Sequence, residues 1–140
     1  MTPDNMIESN RMLGRNFFAA QDHNHGPLDP ALVTPDYKAI LGGNPAMDRT
    51  GHDGFGAGFY VGFPDIKHHI EDVIATPDTA VVRFVLRGTH TGSFFGIPAT
   101  NKTVAVTGHI ILRIRDGKVH TLQGVFDEAG MLRQLGVLPS

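Results

Sequence analysis

The sequence predicts an α+β fold in which helices cover one face of a single curled antiparallel sheet. Up to Pro64, apolar side chains recur at helical spacing, and after Pro64 they alternate with polar ones, as in a half-buried strand. Short turns separate the alternating segments, and such turns join antiparallel strands, whereas parallel strands need a long crossover. The predicted order is therefore three helices, four strands and one short helix.

The three N-terminal helices are marked by their start signals and their apolar spacing. The Thr-Pro pair at residues 2–3 fits an N-cap and a first helical position, and it begins a helix predicted over residues 3–21. The Asp-Pro pair at residues 29–30 repeats this signal for a short second helix that ends before Pro35. A third helix, stopped by Pro64, is predicted from phenylalanines four residues apart: Phe55, Phe59 and Phe63.

The first two strands are predicted from apolar side chains at every second position. His68 shares its parity with Ile66 and Ile70, which places this histidine on the buried face of the first strand. The opposite parity, which includes His69, is expected to face solvent. The second strand is predicted from three alternating apolar residues: Val82, Phe84 and Leu86.

A long third strand is predicted over residues 104–115. It is apolar on both parities, so both of its faces are expected to be covered, and a second copy of the chain is the simplest cover. We therefore predict a homodimer. The Asp-Gly pair at residues 116–117 fits a type I′ turn leading into a fourth strand over residues 118–125. Asp127 then fits the N-cap of a last helix, which Gly136 ends.

Composition predicts one globular domain over residues 1–140 and excludes several classes of function. Lys and Arg number 12 against 14 Asp and Glu, without a basic cluster, which argues against nucleic acid or an anionic membrane as a partner. The chain has no cysteine, which excludes disulfides, thiolate metal sites and a cysteine nucleophile. No apolar run approaches the roughly 20 residues of a membrane span, and the N-terminus lacks a signal-peptide pattern, so we expect a cytoplasmic protein.

Three segments resemble the SnoaL-like polyketide cyclase, or ester cyclase, family: GTHTGSFFGIPAT at residues 88–100, TGHIILRIRDGK at 107–118 and VFDEAGMLRQLG at 125–136. Shorter phrases at residues 24–37 and 63–66 extend the resemblance over the whole chain. The resemblance implies the nuclear-transport-factor-two-like fold, a cone of curved antiparallel sheet of about four main strands, closed by helices. It also implies a cavity for a small apolar ligand, with no metal or cofactor.

In the family that the chain resembles, a carboxylate removes a C–H proton from a polyketide ester, and the enolate then closes a ring by aldol attack. That chemistry needs a base in an apolar pocket and donors for the enolate oxygen. The resemblance places the family's base at Gly124 and its supporting histidine at Ile110. The resemblance thus implies the fold and the cavity, whereas the two side chains that carry out cyclisation in the family are absent from this chain. An aspartate introduced at Gly124 is expected to fit without blocking the pocket.

Four other side chains are candidates for proton transfer. His90 lies in the G-T-H-T-G segment and is the one most expected to face the cavity, although it could also hold the loop that follows it. His68 and His120 have inward parity, where a polar ring needs a partner or a ligand. Two roles are considered for Asp127, acid/base chemistry and the capping of the last helix, and capping is the favoured interpretation.

The remaining candidates concern metal and ligand binding. The pairs His23/His25 and His52/Asp53 lack a third ligand at a definable spacing, so they are interpreted as solvated loop residues and no metal site is predicted. A flat apolar ligand is expected to contact six residues, of which the aromatic ones could equally be ordinary core: Phe17, Phe55, Phe59, Phe84, Ile110 and Gly124.

Three functions remain open on these grounds. The first is a cofactor-free cyclase, lyase or isomerase that acts on a small apolar carbonyl compound by acid/base catalysis. The second is a non-catalytic ligand-binding or dimer-forming domain, favoured by Gly124 and Ile110. The third is a hydroxylase or hydrolase that uses the same cavity with other polar groups. A cavity with hydrogen-bonded titratable groups favours an enzyme, and a cavity filled by side chains favours the second function.

Overall fold

The computed structural model describes residues 2–139, which form three α-helices and five strands. The helices are α1 Pro3–His23, α2 Arg49–Gly62 and α3 Glu128–Gln134. The strands are β1 Val33–Leu41, β2 Lys67–Thr76, β3 Thr79–Thr89, β4 Thr103–Arg115 and β5 Lys118–Phe126. The predicted α+β class is confirmed, with helices packed on a curved, unclosed sheet.

The sheet has the order β1-β5-β4-β3-β2, so four strands form an antiparallel meander in chain order. The fifth, β1, pairs in parallel with β5 at the edge of the sheet. A parallel neighbour needs a long connection, and the segment that contains α2 and the meander provides it. The sheet is therefore mixed and has one strand more than the four predicted.

Strand β1 replaces part of the predicted second helix. That helix is a single 3₁₀ turn, Pro30–Leu32, and the chain becomes extended directly after it. Pro35 lies within β1, where the missing N–H is tolerated because the strand is at the edge and its register shifts between Val33 and Lys38. Pro35 was interpreted as a helix stop, and that interpretation hid the strand.

The long strand β4 is buried on one face only. Val104, Val106, Ile110 and the other inward residues of this parity are buried, while the alternate residues from Thr103 to Arg115 are exposed, apart from the half-buried Ile111. The expectation that both faces are covered is therefore not met within the chain. The inner face packs towards the helices and forms one wall of the candidate site.

The predicted helix caps and hairpin turn are confirmed. Thr2 Oγ1 accepts the backbone N–H of Asn5 at 3.2 Å at the start of α1. Asp116 and Gly117 have φ angles of 54° and 74° between β4 and β5. No helix within residues 2–139 is long and apolar enough to cross a membrane.

Candidate active site

The candidate site is a cavity between α1, α2 and the inner face of the sheet. Its non-atom space is about 540 Å³ when counted out to the mouth, and the centres of water molecules can occupy about 60 Å³ of it. One water needs about 10–15 Å³ of such volume, so there is room for several waters or a small ligand. The polar lining residues are Gln21, His52, Tyr60 and His68, and the other lining residues are Phe18, Leu41, Phe55, Gly56, Phe59, Ile66, Phe84, Leu86, Ile110, Leu122 and Phe126.

His68 lies in the cavity wall and is held by a carboxylate of α1. Its Nδ1 lies 2.8 Å from Oδ1 of Asp22, and its backbone N–H donates to Oδ2 of Asp22 at 2.8 Å. The rings of Phe18 and Phe84 flank the imidazole, each with a centroid separation of 4.8 Å. Because Asp22 engages Nδ1, the nitrogen that remains for a ligand is Nε2, which has no hydrogen-bond partner among residues 2–139.

Asp22 is ionised although its side chain is only 14% exposed. Burial alone would raise its pKa, but hydrogen bonds from His68 and Tyr60, together with the charge of His68, outweigh burial and lower the pKa below its usual value. The Tyr60 hydroxyl donates to Oδ1 at 2.5 Å, and burial together with this carboxylate raises the pKa of Tyr60. An ionised carboxylate only accepts hydrogen bonds, so Nδ1 of His68 is the donor.

A second buried imidazole, His52, lines the same cavity from the first turn of α2. Its Nδ1 lies 2.8 Å from the hydroxyl of Tyr37, and the two rings stack with a centroid separation of 6.0 Å. Burial lowers the pKa of His52 to about 4, although Asp53 opposes this shift. The prediction that His52 is a solvated loop residue is wrong, because α2 begins at Arg49 and turns this side chain inward.

His90 does not line the cavity, contrary to expectation. It is fully buried, its ring stacks on Phe63 at 5.1 Å, and its Nδ1 accepts the backbone N–H of Thr100 at 3.2 Å while lying 2.9 Å from Oγ1 of the same threonine. These bonds join the two ends of the segment between β3 and β4. The alternative considered for His90, a histidine that holds this loop, describes its observed contacts.

Asp127 and His120 also lie outside the cavity lining. Asp127 is exposed and caps α3, accepting the backbone N–H of Gly130 at 2.9 Å, so the capping interpretation is confirmed. His120 is half-buried beside Thr121, whose Oγ1 lies 3.0 Å from its Nδ1. The β4–β5 register shifts at Ile114, which leaves His120 without a paired partner on β4, so parity counted along β5 does not hold there.

The two positions where the resemblance places the cyclase base and its supporting histidine lie side by side. Gly124 pairs with Ile110 across β4 and β5, and Ile110 lines the cavity while Gly124 does not. A Cβ atom at Gly124 would lie 2.3 Å from the backbone oxygen of His109 and 2.6 Å from Cδ1 of Ile110. The expectation that an aspartate fits there is therefore wrong in this backbone.

The aromatic residues expected to bind a ligand are divided between the lining and the core. Phe55, Phe59 and Phe84 line the cavity. Phe17 is 1% exposed and packs edge-on against Phe18 in the core. The prediction omitted two further phenylalanines of the lining, Phe18 and Phe126, and the ring of Phe126 lies 5.6 Å from that of Phe59.

The partners of the two cavity histidines were missed by sequence reasoning. Asp22 lies four residues after the buried Phe18, a spacing that places both on one face of α1 and could have indicated an inward carboxylate. Tyr37 belongs to the strand that was not recognised. Within residues 2–139, no group of three or more His, Cys, Asp or Glu side chains is arranged to hold a metal ion.

The fold and the cavity together define a small α+β protein of the ketosteroid isomerase-like fold class. A Catenulispora acidiphila protein of that fold, crystallised with trimethylamine, matches with a TM-score of 0.72 at 18% identity, covering 89% of this chain and 93% of that one. The family model for SnoaL-like polyketide cyclases matches residues 17–135. The chain therefore belongs to the SnoaL-like polyketide cyclase family.

Two further solved structures have a similar fold. AclR from Streptomyces galilaeus, a candidate hydroxylase, has a TM-score of 0.84 at 23% identity, covering 96% of this chain and 89% of that one. Wild-type IdmH from Streptomyces antibioticus, a candidate polyketide cyclase, has a TM-score of 0.73 at 27% identity, covering 89% of this chain and 99% of that one. No curated protein matched the chain in a sequence comparison.

Proposed function

We propose that the chain is a cofactor-free enzyme that moves a proton within a small apolar carbonyl compound, with His68 as the acid/base group. The observation that carries this proposal is the Asp22–His68 pair in the wall of a mainly apolar cavity. A carboxylate on Nδ1 orients the ring, selects the tautomer with a lone pair on Nε2 and stabilises the imidazolium that forms when Nε2 takes a proton.

Proton transfer by His68 needs no group from outside the chain. Nε2 would take a proton from the carbon next to the carbonyl group, and the imidazolium would return it to carbon or to a departing oxygen. The phenylalanines that flank the ring lower the polarity around it, which strengthens the attraction between imidazolium and Asp22. The proposal assigns catalysis to His68, and not to His90, His120 or Asp127, because only His68 of these four lines the cavity.

The test is hydrogen–deuterium exchange at the α-carbon of β-tetralone, a small bicyclic ketone, followed by proton NMR in deuterated buffer. We expect exchange above the buffer rate with the native protein and a loss of about 100-fold or more in His68→Gln, the range of general-base catalysis. His69→Gln is the matched control, because His69 is the exposed neighbour on the opposite face of β2. Equal rates in the native protein and His68→Gln would overturn the assignment.

The second candidate function is a non-catalytic ligand-binding domain. It is favoured by Gly124 and Ile110, which occupy the two positions where the resemblance places the family's groups for cyclisation. In that case β-tetralone would bind to the native protein, as detected by chemical-shift changes of the cavity residues, and its α-protons would exchange at the buffer rate.

We further propose that the protein is a cytoplasmic homodimer. The support for a dimer is a row of apolar side chains across the outer face of the sheet. Ile74 pairs with Val81, and Val81 pairs with Ile111, on three adjacent strands. Ile74 is 62% exposed and the other two are partly buried, so a second copy packed on this face would cover them.

A further inference from the structure

The cavity holds two imidazoles whose Nδ1 atoms are engaged by groups of different hydrogen-bonding character. Asp22, a carboxylate, lies 2.8 Å from Nδ1 of His68, and Tyr37, a hydroxyl, lies 2.8 Å from Nδ1 of His52. A neutral imidazole carries its proton on one nitrogen only, so the partner of Nδ1 decides the character of Nε2. The two partners therefore determine what each ring offers to a ligand.

The tautomer of His52 follows from the hydrogen bonds of Tyr37. The Tyr37 hydroxyl is buried, and His52 is its one hydrogen-bond partner among residues 2–139. If Nδ1 of His52 carried the proton, the hydroxyl proton of Tyr37 would be left buried without an acceptor, which costs more than an unused oxygen lone pair. The hydroxyl therefore donates to Nδ1, and the proton of His52 lies on Nε2.

We propose that His52 is the hydrogen-bond donor to the substrate's carbonyl oxygen, complementary to His68 as the base, and that Tyr37 positions its Nε2–H for this purpose. The inference deepens the proposed function and rests on it. Because burial keeps His52 neutral at neutral pH, its Nε2–H is retained throughout the reaction. The same cavity thereby contains a lone pair on one imidazole and an N–H donor on another.

The proton transfer balances with these two groups alone. Nε2 of His68 takes the proton from the α-carbon, the C–H electron pair forms the carbon–carbon double bond of an enolate, and the carbonyl electron pair moves to oxygen. The enolate oxygen accepts the Nε2–H of His52, which stabilises the negative charge as an oxyanion-hole donor does. The imidazolium of His68 then delivers its proton to another carbon conjugated with the enolate, which gives isomerisation. Alternatively its N–H exchanges with solvent and it delivers the solvent proton to the α-carbon, which gives exchange, and neither outcome needs an oxidant or reductant.

This arrangement selects a substrate class. The substrate has one acceptor oxygen for His52 and an acidic C–H bond on an adjacent carbon for His68. The rest of the substrate is apolar, with one aromatic ring or two fused rings, because the lining around the two imidazoles is mainly phenylalanine and branched aliphatic residues. An anionic substrate does not fit, since the lining offers no cation: its polar members within residues 2–139 are one amide, one phenol and the two imidazoles.

The direct test is the tautomeric state of both histidines, measured by nitrogen-15 NMR of histidine-labelled protein at neutral pH. We expect His52 to carry its proton on Nε2 and neutral His68 to carry it on Nδ1. In Tyr37→Phe the hydroxyl donor is lost, and we expect the Nδ1 tautomer of His52 to become populated, with His68 unchanged. Tyr60→Phe is the matched control, because it removes another buried hydroxyl from the Asp22 side and leaves Tyr37 in place. A native His52 protonated on Nδ1 would overturn the inference.

Activity provides the second readout. We expect His52→Leu, which has no donor, to lower the exchange rate of β-tetralone about 100-fold, and His52→Gln, whose amide is a donor, to restore part of it. Loss of exchange in His68→Gln with full exchange in His52→Leu would refute the inference and leave the proposed function intact. Absence of exchange in the native protein would refute the proposed function, and with it the catalytic use of His52, while the NMR result would still decide the tautomers.

Discussion

At the scale of single residues, burial and hydrogen-bond partners give the two cavity histidines different chemistry. Strand parity was sufficient to place His68 inward, because alternation along β2 is regular up to Ile70. The buried position of Asp22 could not be predicted from the sequence in the same way, since a carboxylate near the end of an amphipathic helix is usually solvated. His52 was missed because a glycine-rich segment was interpreted as loop at that point, although α2 runs through it.

The lowered pKa of His52 predicts a loss of stability in weak acid. The unfolded chain binds this proton near the ordinary histidine pKa of 6.5 and the folded protein only near 4, so the unfolded state holds more protons between these values. The free energy of unfolding should therefore fall by about 3 kcal/mol as the pH falls from 6.5 to 4. The charged and titratable groups that act on His52 are Asp53 and His68, and Asp22 titrates below this window.

The measurement is urea unfolding at a series of pH values. In His52→Gln the loss between pH 6.5 and 4 should be largely abolished, whereas in His109→Gln, which changes an exposed histidine, it should persist. A native protein whose unfolding free energy is flat over this range would show that His52 is protonated without cost.

Gly124 predicts a second residue-scale effect. Gly124→Asp would force a side chain against the backbone oxygen of His109, so we expect a destabilisation of about 1–3 kcal/mol and no gain of cyclase activity. Gly43→Ala is the control, because no atom lies within 4 Å of a Cβ there. A stable Gly124→Asp protein that cyclises a polyketide ester would show that the backbone opens to accept the family's base.

At the scale of elements, the turns were more predictable than the edge strand. The Asp-Gly pair between β4 and β5 has one favourable geometry, and its positive φ angles follow from the two residues themselves. Strand β1 depends on pairing with β5, which is distant in sequence, and its proline favours other interpretations. The alternation of Tyr37, Ala39 and Leu41 was the available signal for this strand.

The β4–β5 hairpin gives an element-scale prediction. Gly117 has a φ of 74°, so Gly117→Ala should destabilise the protein by about 1–2 kcal/mol, the cost of a left-handed conformation for a residue with a Cβ. Asp116→Asn should change stability little, because asparagine adopts positive φ readily. Chemical denaturation measures both, and an unchanged midpoint for Gly117→Ala would show that the turn relaxes to another type.

At the scale of the whole molecule, the sheet presents its cavity face to the helices and leaves its outer face open. The apolar residues on both parities of β4 predicted that both of its faces are covered, with a second copy of the chain on the outer face. Within one chain, the outer residues of β4 are largely exposed. A single chain leaves one apolar row uncovered on this face, formed by Ile74, Val81 and Ile111.

The homodimer is tested by light scattering at micromolar concentration. We expect a dimer for the native protein and a monomer for Ile74→Lys, which places a charge in the apolar row. Val61→Lys is the matched control, because Val61 is 63% exposed, as Ile74 is 62% exposed, and lies on α2 instead of the sheet. A native monomer would contradict the predicted dimer.

The measurement that tests the catalytic role of the Asp22–His68 pair most directly is a double-mutant cycle on the exchange of β-tetralone. If the two residues act as one unit, Asp22→Asn and His68→Gln should each lower the exchange rate about 100-fold or more. The exchange rate of the double variant should then equal that of the less active single variant. Thermal unfolding of the three variants shows that each is folded under the assay conditions. Rates that stay near the native value in either single variant, or losses that multiply in the double variant, would contradict a proton-transfer site built on this pair.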